Sequence, residues 1–300
     1  MTAVLNLPRA RAVRRLTGEQ LAVASGQLAA GVGNLAFALL AARVLAPSAF
    51  AELAAFLALY LLIHVPAGSL GAGSALTPDL AARATRRAFL AGAAAGAVIA
   101  ALAIPLGHLL RLSPLMLVAV AAAVPTAGPI ALHRGRLYGL GRRTRAVGSL
   151  LAEPVVRLTI GVALAAVAGP VGGAFAAVVA GWAALAVARL PNAVAADPPA
   201  TDAKSFATGG TVVAFLLLAA LQHESVLLAN ALLDAGEAGR FAVVATLGGI
   251  AAFASTTVPL MLLARADEPG RDALRAALAV AAALGAGAVV LVAASPERLL

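Results

Sequence analysis

The chain has 300 residues, of which 62% are apolar and only 12% charged, and its mean hydropathy is +0.97. Soluble domains carry roughly a quarter charged residues, so this composition excludes an ordinary soluble domain and assigns an integral membrane protein. The net charge of +9 would point a soluble protein toward nucleic acid, but here the basic residues fall in the loops that membrane topology requires, where anionic headgroups attract them.

Apolar runs near or above the roughly 20 residues needed to cross a bilayer predict nine transmembrane helices. They cover Gln20–Ala42, Glu52–Leu76, Ala88–Leu109, Ser113–Leu132, Ala146–Ala168, Pro170–Ala188, Phe206–Asn230, Phe241–Leu263 and Ala276–Ala294. The basic start resembles a signal peptide, yet the first run is much longer than the typical 7–15-residue apolar core of one, so it reads as an uncleaved helix. Lys and Arg concentrate in cytoplasmic loops. Placing the amino terminus and every second loop inside collects 17 of the 22 on that side, leaves Arg43, Arg111, Arg240 and Arg298 outside, and puts Arg157 within a span. The amino terminus is therefore expected in the cytoplasm and the carboxyl terminus outside. No cysteine is present, which excludes disulfides, a thiol nucleophile and cysteine metal sites.

A segment recurs about 188 positions apart: Leu39–Phe56, LLAARVLAPSAFAELAAF, and Leu227–Val244, LLANALLDAGEAGRFAVV. Ala41 then meets Ala229, Leu45 meets Leu233, Ala51 meets Gly239, and Asn34 falls on Gln222. A repeat with the same orientation predicts an all-α, two-lobe transporter-like bundle with its site between the lobes. Residues 1–190 form the first lobe of six helices. The Pro-, Ala- and Asp-rich stretch 191–205 is a cytoplasmic linker, and 206–300 holds three helices of a second lobe. A parallel repeat of six predicts six there, so the second lobe is expected to be incomplete; a truncated chain, an incomplete gene model and a short divergent member remain open.

Gly92 and Gly96 on the third helix read as a packing seam, because small residues let membrane helices approach closely. Pro66, Pro105, Pro125, Pro129, Pro154 and Pro259 lie within spans and are candidate kinks. Ionisable groups in spans are costly and normally face a cavity or a partner. Glu153 and Arg157, four apart with the acid first, share a face in the favourable order for pairing. The pair either makes its span insertable or presents Arg157 to a phosphate or pyrophosphate. Gln222, His223 and Glu224 fan in different directions on the seventh helix. His223 or Glu224 is a candidate for proton coupling, with snorkelling near the outer end as the alternative. His64 in the second helix is a packing histidine or a site residue, and Gln27 and Asn34, seven apart, line a polar cavity or bond across helices. Catalytic signals are missing: there is no Walker-type loop, H-E-x-x-H or G-x-S-x-G. No enzyme activity, metal or cofactor is expected.

The stretch GNLAFALLAARVLAPSAFAELAAF resembles the start of the oligosaccharide flippases, the polysaccharide-export branch of the superfamily that also contains the multidrug and toxin extrusion antiporters. The corresponding residues are Ala42, Arg43, Leu45, Pro47 and Phe50, with Gly239 and Phe241 in the second copy. RGRLYGLGRRTRAVGSLLAEPVVRL, Arg134–Leu158, is similar to the inner loop and fifth helix of that family. The resemblance implies movement of a lipid-linked oligosaccharide across a bacterial inner membrane by alternating access, with a proton or cation as a possible coupling partner. The family has 12 to 14 helices against the nine expected here. Other readings are a cation-coupled drug antiporter, a major-facilitator-type transporter, suggested by PDLAARATRR, and a non-transporting scaffold or degenerate partner.

Overall fold

The structure is a computed structural model and describes residues 7–189 and 209–246, with the isolated positions 248 and 286. Among the described residues every element is helical: α1 Leu7–Val44, α2 Pro47–Leu76, α3 Pro78–Ala101, α4 Ala103–Leu110, α5 Pro114–Gly139, α6 Arg143–Val156, a π-helical turn Arg157–Gly161, α7 Val162–Ala188 and α8 Gly209–Leu232. A further helix, α9, starts at 235 and is described to 246. Five stretches are long and apolar enough to cross a membrane: Ser25–Val44, Pro47–Ala75, Pro114–Gly139, Arg143–Ala188 and Val213–Leu232. The bent pair Ala81–Ala101 and Ala103–Leu110 makes a sixth if counted as one span. Of the nine expected helices, Phe241–Leu263 is described only to 246. Ala276–Ala294 lies outside the described residues apart from Ala286, and so does the linker 191–205.

Proline places several helix starts. Pro47, Pro78 and Pro114 occupy the first helical position of α2, α3 and α5, where the missing N–H has no bond to lose. Interior prolines act unequally. α2 continues through Pro66 and α5 through Pro125 and Pro129. The span expected over Ala88–Leu109, by contrast, is broken at Leu102 with a bend of 69°. Pro105 has no N–H to offer the Ala101 carbonyl, which fits a break at that point. Arg83, Arg86, Arg87, Arg134 and Arg136, expected in loops, lie instead within α3 and α5.

The 46-residue stretch Arg143–Ala188 doubles back at Gly169, whose φ of 66° and ψ of −156° belong to a region essentially confined to glycine. Below the turn the two arms pack antiparallel: Gly172 backs onto the Leu164 carbonyl, and the Ser149 hydroxyl donates to the Ala184 carbonyl at 2.8 Å. This is the boundary expected between Ala168 and Pro170. The core joins Phe37 of α1, Phe50, Leu53, Phe56 and Tyr60 of α2, Met116 and Leu117 of α5, and Ala174 and Ala177 of α7. The seam on α3 is present, since a methyl group on Gly96 would lie 2.5 Å from the Ala121 carbonyl oxygen of α5.

The helices share two ends. At one, Gly139 meets Ala75, Leu137 packs with Ala146 and Ala188, and Arg145 donates to the Val187 carbonyl at 2.8 Å. At the other, the Ser113 N–H donates to the Glu52 carboxylate at 2.7 Å, Asn230 donates to the Leu110 carbonyl at 2.7 Å, and Arg111 donates to the Leu233 carbonyl at 2.9 Å. Arg136, Arg142, Arg143, Arg145 and Arg189 gather at the first end, and Arg43, Arg111 and Arg240 at the second.

The repeated segments fold alike. α1 stops at Val44 and α8 at Leu232, each is followed by a two-residue break, and the next helix starts at 47 and 235. Leu45 N–H bonds the Ala41 carbonyl at 2.9 Å as Leu233 N–H bonds Ala229 at 3.0 Å. Phe50 N–H bonds Ala46 at 2.9 Å as Ala238 N–H bonds Asp234 at 2.8 Å. Both breaks lie at the second end, so α1 and α8 run in the same sense. Gly239 approaches the Pro47 carbonyl so closely that a methyl group would collide with it, which explains glycine in the second copy.

Candidate functional site

Pro154 lies three residues before the π turn. A helix that loses an N–H and then widens to i→i+5 bonding is locally displaced, a feature common at functional positions. α1 approaches closely here because Gly33 has no side chain: a methyl group on it would lie 2.7 Å from Pro154 Cβ. That approach brings Asn34 Oδ1 within 2.9 Å of Arg157 Nη1.

Around this contact the structure builds one buried polar cluster. Glu153 Oε1 accepts from Arg134 Nη2 of α5 at 2.7 Å, whereas Oε2 is 3.4 Å from Arg157 Nη2. The Tyr60 hydroxyl donates to Oε2 at 3.3 Å. Arg134 is fixed by two further bonds, from Nε to Ser149 Oγ at 3.0 Å and from Nη2 to the Ser149 carbonyl at 2.8 Å. Gly181 leaves room for the tyrosine, since a methyl group there would lie 3.2 Å from both Tyr60 Oη and Thr126 Oγ1.

The Tyr60 ring is held from both faces. His64 stacks on it with centroids 3.8 Å apart and planes 13° from parallel. The Arg157 guanidinium carbon lies 4.7 Å from the ring centroid; with one face occupied by the imidazole, it takes the other, a cation–π contact. His64 Nδ1 is 2.8 Å from the Tyr60 carbonyl oxygen and must carry the proton there, which makes Nε2 an acceptor. That Nε2 and Arg157 Nε are both buried without a hydrogen-bond partner. Two arginines and one glutamate leave the cluster with an excess positive charge. Arg157 is 4% exposed, while the Arg134 and Glu153 side chains are 19% and 14% exposed, so the cluster opens toward those two residues.

Its depth follows from helix rise. Asn34, Tyr60 and Arg157 are 10, 13 and 12 residues from Val44, Pro47 and Gly169, or about 15–20 Å from that end at 1.5 Å per residue, near the middle of a core about 30 Å thick.

Of the residues singled out in the sequence, Asn34, His64, Glu153 and Arg157 are brought together. Gln222, His223 and Glu224 lie apart on α8, where Gln222 and His223 are half-buried and Glu224 is exposed. His223 is nine residues from Leu232, about 14 Å along the helix. Gln222 sits ten residues from Leu232 as Asn34 does from Val44. Tyr60, Arg134 and Ser149 are cluster members that the sequence reading passed over. The i, i+4 spacing of Tyr60 and His64 was a usable signal. Among the described residues no group of three His, Asp or Glu could hold a metal ion.

Comparison with known proteins finds no matching family model, no matching curated protein and no matching solved structure.

Proposed function

We propose that the chain is a transporter-like membrane protein of the oligosaccharide-flippase type, in which Arg157 receives the phosphate or pyrophosphate of a lipid-linked saccharide near the middle of the bilayer. The observation that carries this reading is the 2.7 Å ion pair of Glu153 with Arg134. Glu153 is already neutralised by α5, so Arg157 is not needed to balance it, and a buried arginine beyond charge balance costs energy that a bound anion would offset. Its partnerless Nε is a ready donor for such a group.

The parallel course of the two repeat segments and their two matching backbone hydrogen bonds support a bundle of two related units, with Asn34 and Gln222 at similar distances from their helix ends. The crowding of arginine at one end supports a cytoplasmic face there, in keeping with an amino terminus on the cytoplasmic side of a bacterial inner membrane. A drug antiporter using Glu153 as its cation site fits less well, because two guanidinium groups already face that carboxylate.

Export of a lipid-linked saccharide by membranes containing the protein tests the reading. Arg157→Gln leaves the neutral Arg134–Glu153 pair intact, so the variant should insert at normal levels and lose export. Normal export by Arg157→Gln would remove the anion-binding role.

A further inference from the structure

At the arginine-rich end a second constellation lies outside the mid-depth cluster. His133 and Arg136 stand one helical turn apart on α5, and Leu137 beside them packs with Ala146 of α6 and Ala188 of α7, which brings Arg145 and Arg189 to the same end. Arg145 is held in place by the open carboxyl end of α7, with Nε donating to the Val187 carbonyl at 2.8 Å and Nη2 to the Arg189 carbonyl. None of the four residues has an ion pair among the described residues. Arg136 Nε and His133 Nδ1 are buried and have no hydrogen-bond partner.

Three permanent cations without a carboxylate repel one another, and the buried guanidinium donor of Arg136 left open costs free energy. An anion with several acceptor oxygens would relieve both. The depth identifies its source. Arg136 and His133 lie three and six residues before the end of α5 at Gly139, about 5 and 9 Å inward, while Arg145 and Arg189 sit at the ends of α6 and α7. That range spans the headgroup layer and the top of the hydrocarbon in a bilayer about 40–45 Å thick overall. Basic pockets between helices at this level suit lipid phosphate.

We infer that His133, Arg136, Arg145 and Arg189 form a binding site for the phosphodiester headgroup of an anionic lipid in the leaflet at the arginine-rich end. The fork of Arg136 bonds the phosphate oxygens, and the arginines on α6 and α7 supply the remaining charge. A zwitterionic headgroup would bring its own ammonium into a site that is already cationic, so it should bind poorly. The site does not depend on the transport reading.

The full chain purified in detergent is titrated with phosphatidylglycerol, phosphatidylcholine or inorganic phosphate, following the unfolding temperature and the mass of bound lipid. Phosphatidylglycerol should raise the unfolding temperature saturably, and the other two should not. Arg136→Gln loses no internal hydrogen bond from Nε, and it should weaken phosphatidylglycerol binding about tenfold. Arg86→Gln, an exposed charge on α3, should leave it unchanged. Arg189→Gln is the second site variant and should also weaken binding if Arg136→Gln does not fold. Equal losses in Arg86→Gln and the site variants would mean diffuse attraction and overturn the site. Undiminished binding in the site variants would do the same, and an equal shift with inorganic phosphate would replace the lipid by a soluble anion.

Discussion

Arg134 Nη2 lies 2.7 Å from Glu153 Oε1 and joins the last turns of α5 to the last turn of α6. Arg157 sits on the same carboxylate at 3.4 Å, closer in sequence but weaker in geometry.

The three charges should therefore differ in what their removal costs. Glu153→Gln leaves two arginines facing each other without a counter-charge and should destabilise by about 3 kcal/mol. Arg134→Gln keeps the weaker pair but strips Ser149 of two donors, at about 2 kcal/mol. Arg157→Gln retains a neutral pair and should cost about 1 kcal/mol or less. Unfolding in detergent, followed by circular dichroism, gives the order directly. If Arg157→Gln proved the most destabilising, Arg157 would be the structural partner of Glu153 after all.

Glycines divide sharply by what stands beside them. A methyl group at Gly135 would overlap Ser74 Oγ and the Gly71 carbonyl, so Gly135→Ala should push α5 from α2 and cost about 1–3 kcal/mol. Gly148 in α6 has only a Val187 methyl at 3.8 Å, and Gly148→Ala should stabilise by about 0.5–1 kcal/mol through helix propensity. At Gly169 nothing lies within 4 Å. Gly169→Ala should still cost about 1–3 kcal/mol, because the backbone conformation excludes a Cβ. Melting temperatures of the three variants test whether space or backbone geometry governs each position; a neutral Gly135→Ala would contradict the tight α2–α5 contact.

Sidedness is open to direct labelling, since the chain contains no cysteine. Thr144 and Ala235 are exposed at opposite ends of the bundle. In intact cells, Ala235→Cys should react with a membrane-impermeant maleimide while Thr144→Cys stays protected until the membrane is opened. The reverse pattern would invert the topology.

How much of this was legible in the sequence depends on the kind of signal. Apolar runs located most spans to within a few residues, because burial in lipid and apolar composition are the same property. They misplaced the start of α3 by ten residues, from Ala88 to Pro78. Arg83, Arg86 and Arg87 satisfy helix geometry while failing a hydropathy test. The Glu153–Arg157 pair was visible as spacing on one helix. Arg134 was not: counted among loop arginines, it joins the cluster only because α5 continues past Leu132 and packs beside α6. Asn34 needed Gly33 to reach Arg157. Contacts set by helix packing leave little trace in a single chain of residues.

The hydrogen bonds of Asn230 and Arg111 tie α8 to the α4–α5 turn near one extremity, while Val213, Leu216 and Leu217 toward the other are exposed. Between these extremities α8 is seated on α2, with Ala219 fully buried and Val226 and Leu227 packed against the core. A helix of 24 residues is about 36 Å long, so two side chains near one extremity set its height in the bundle while apolar contact with α2 sets its rotation.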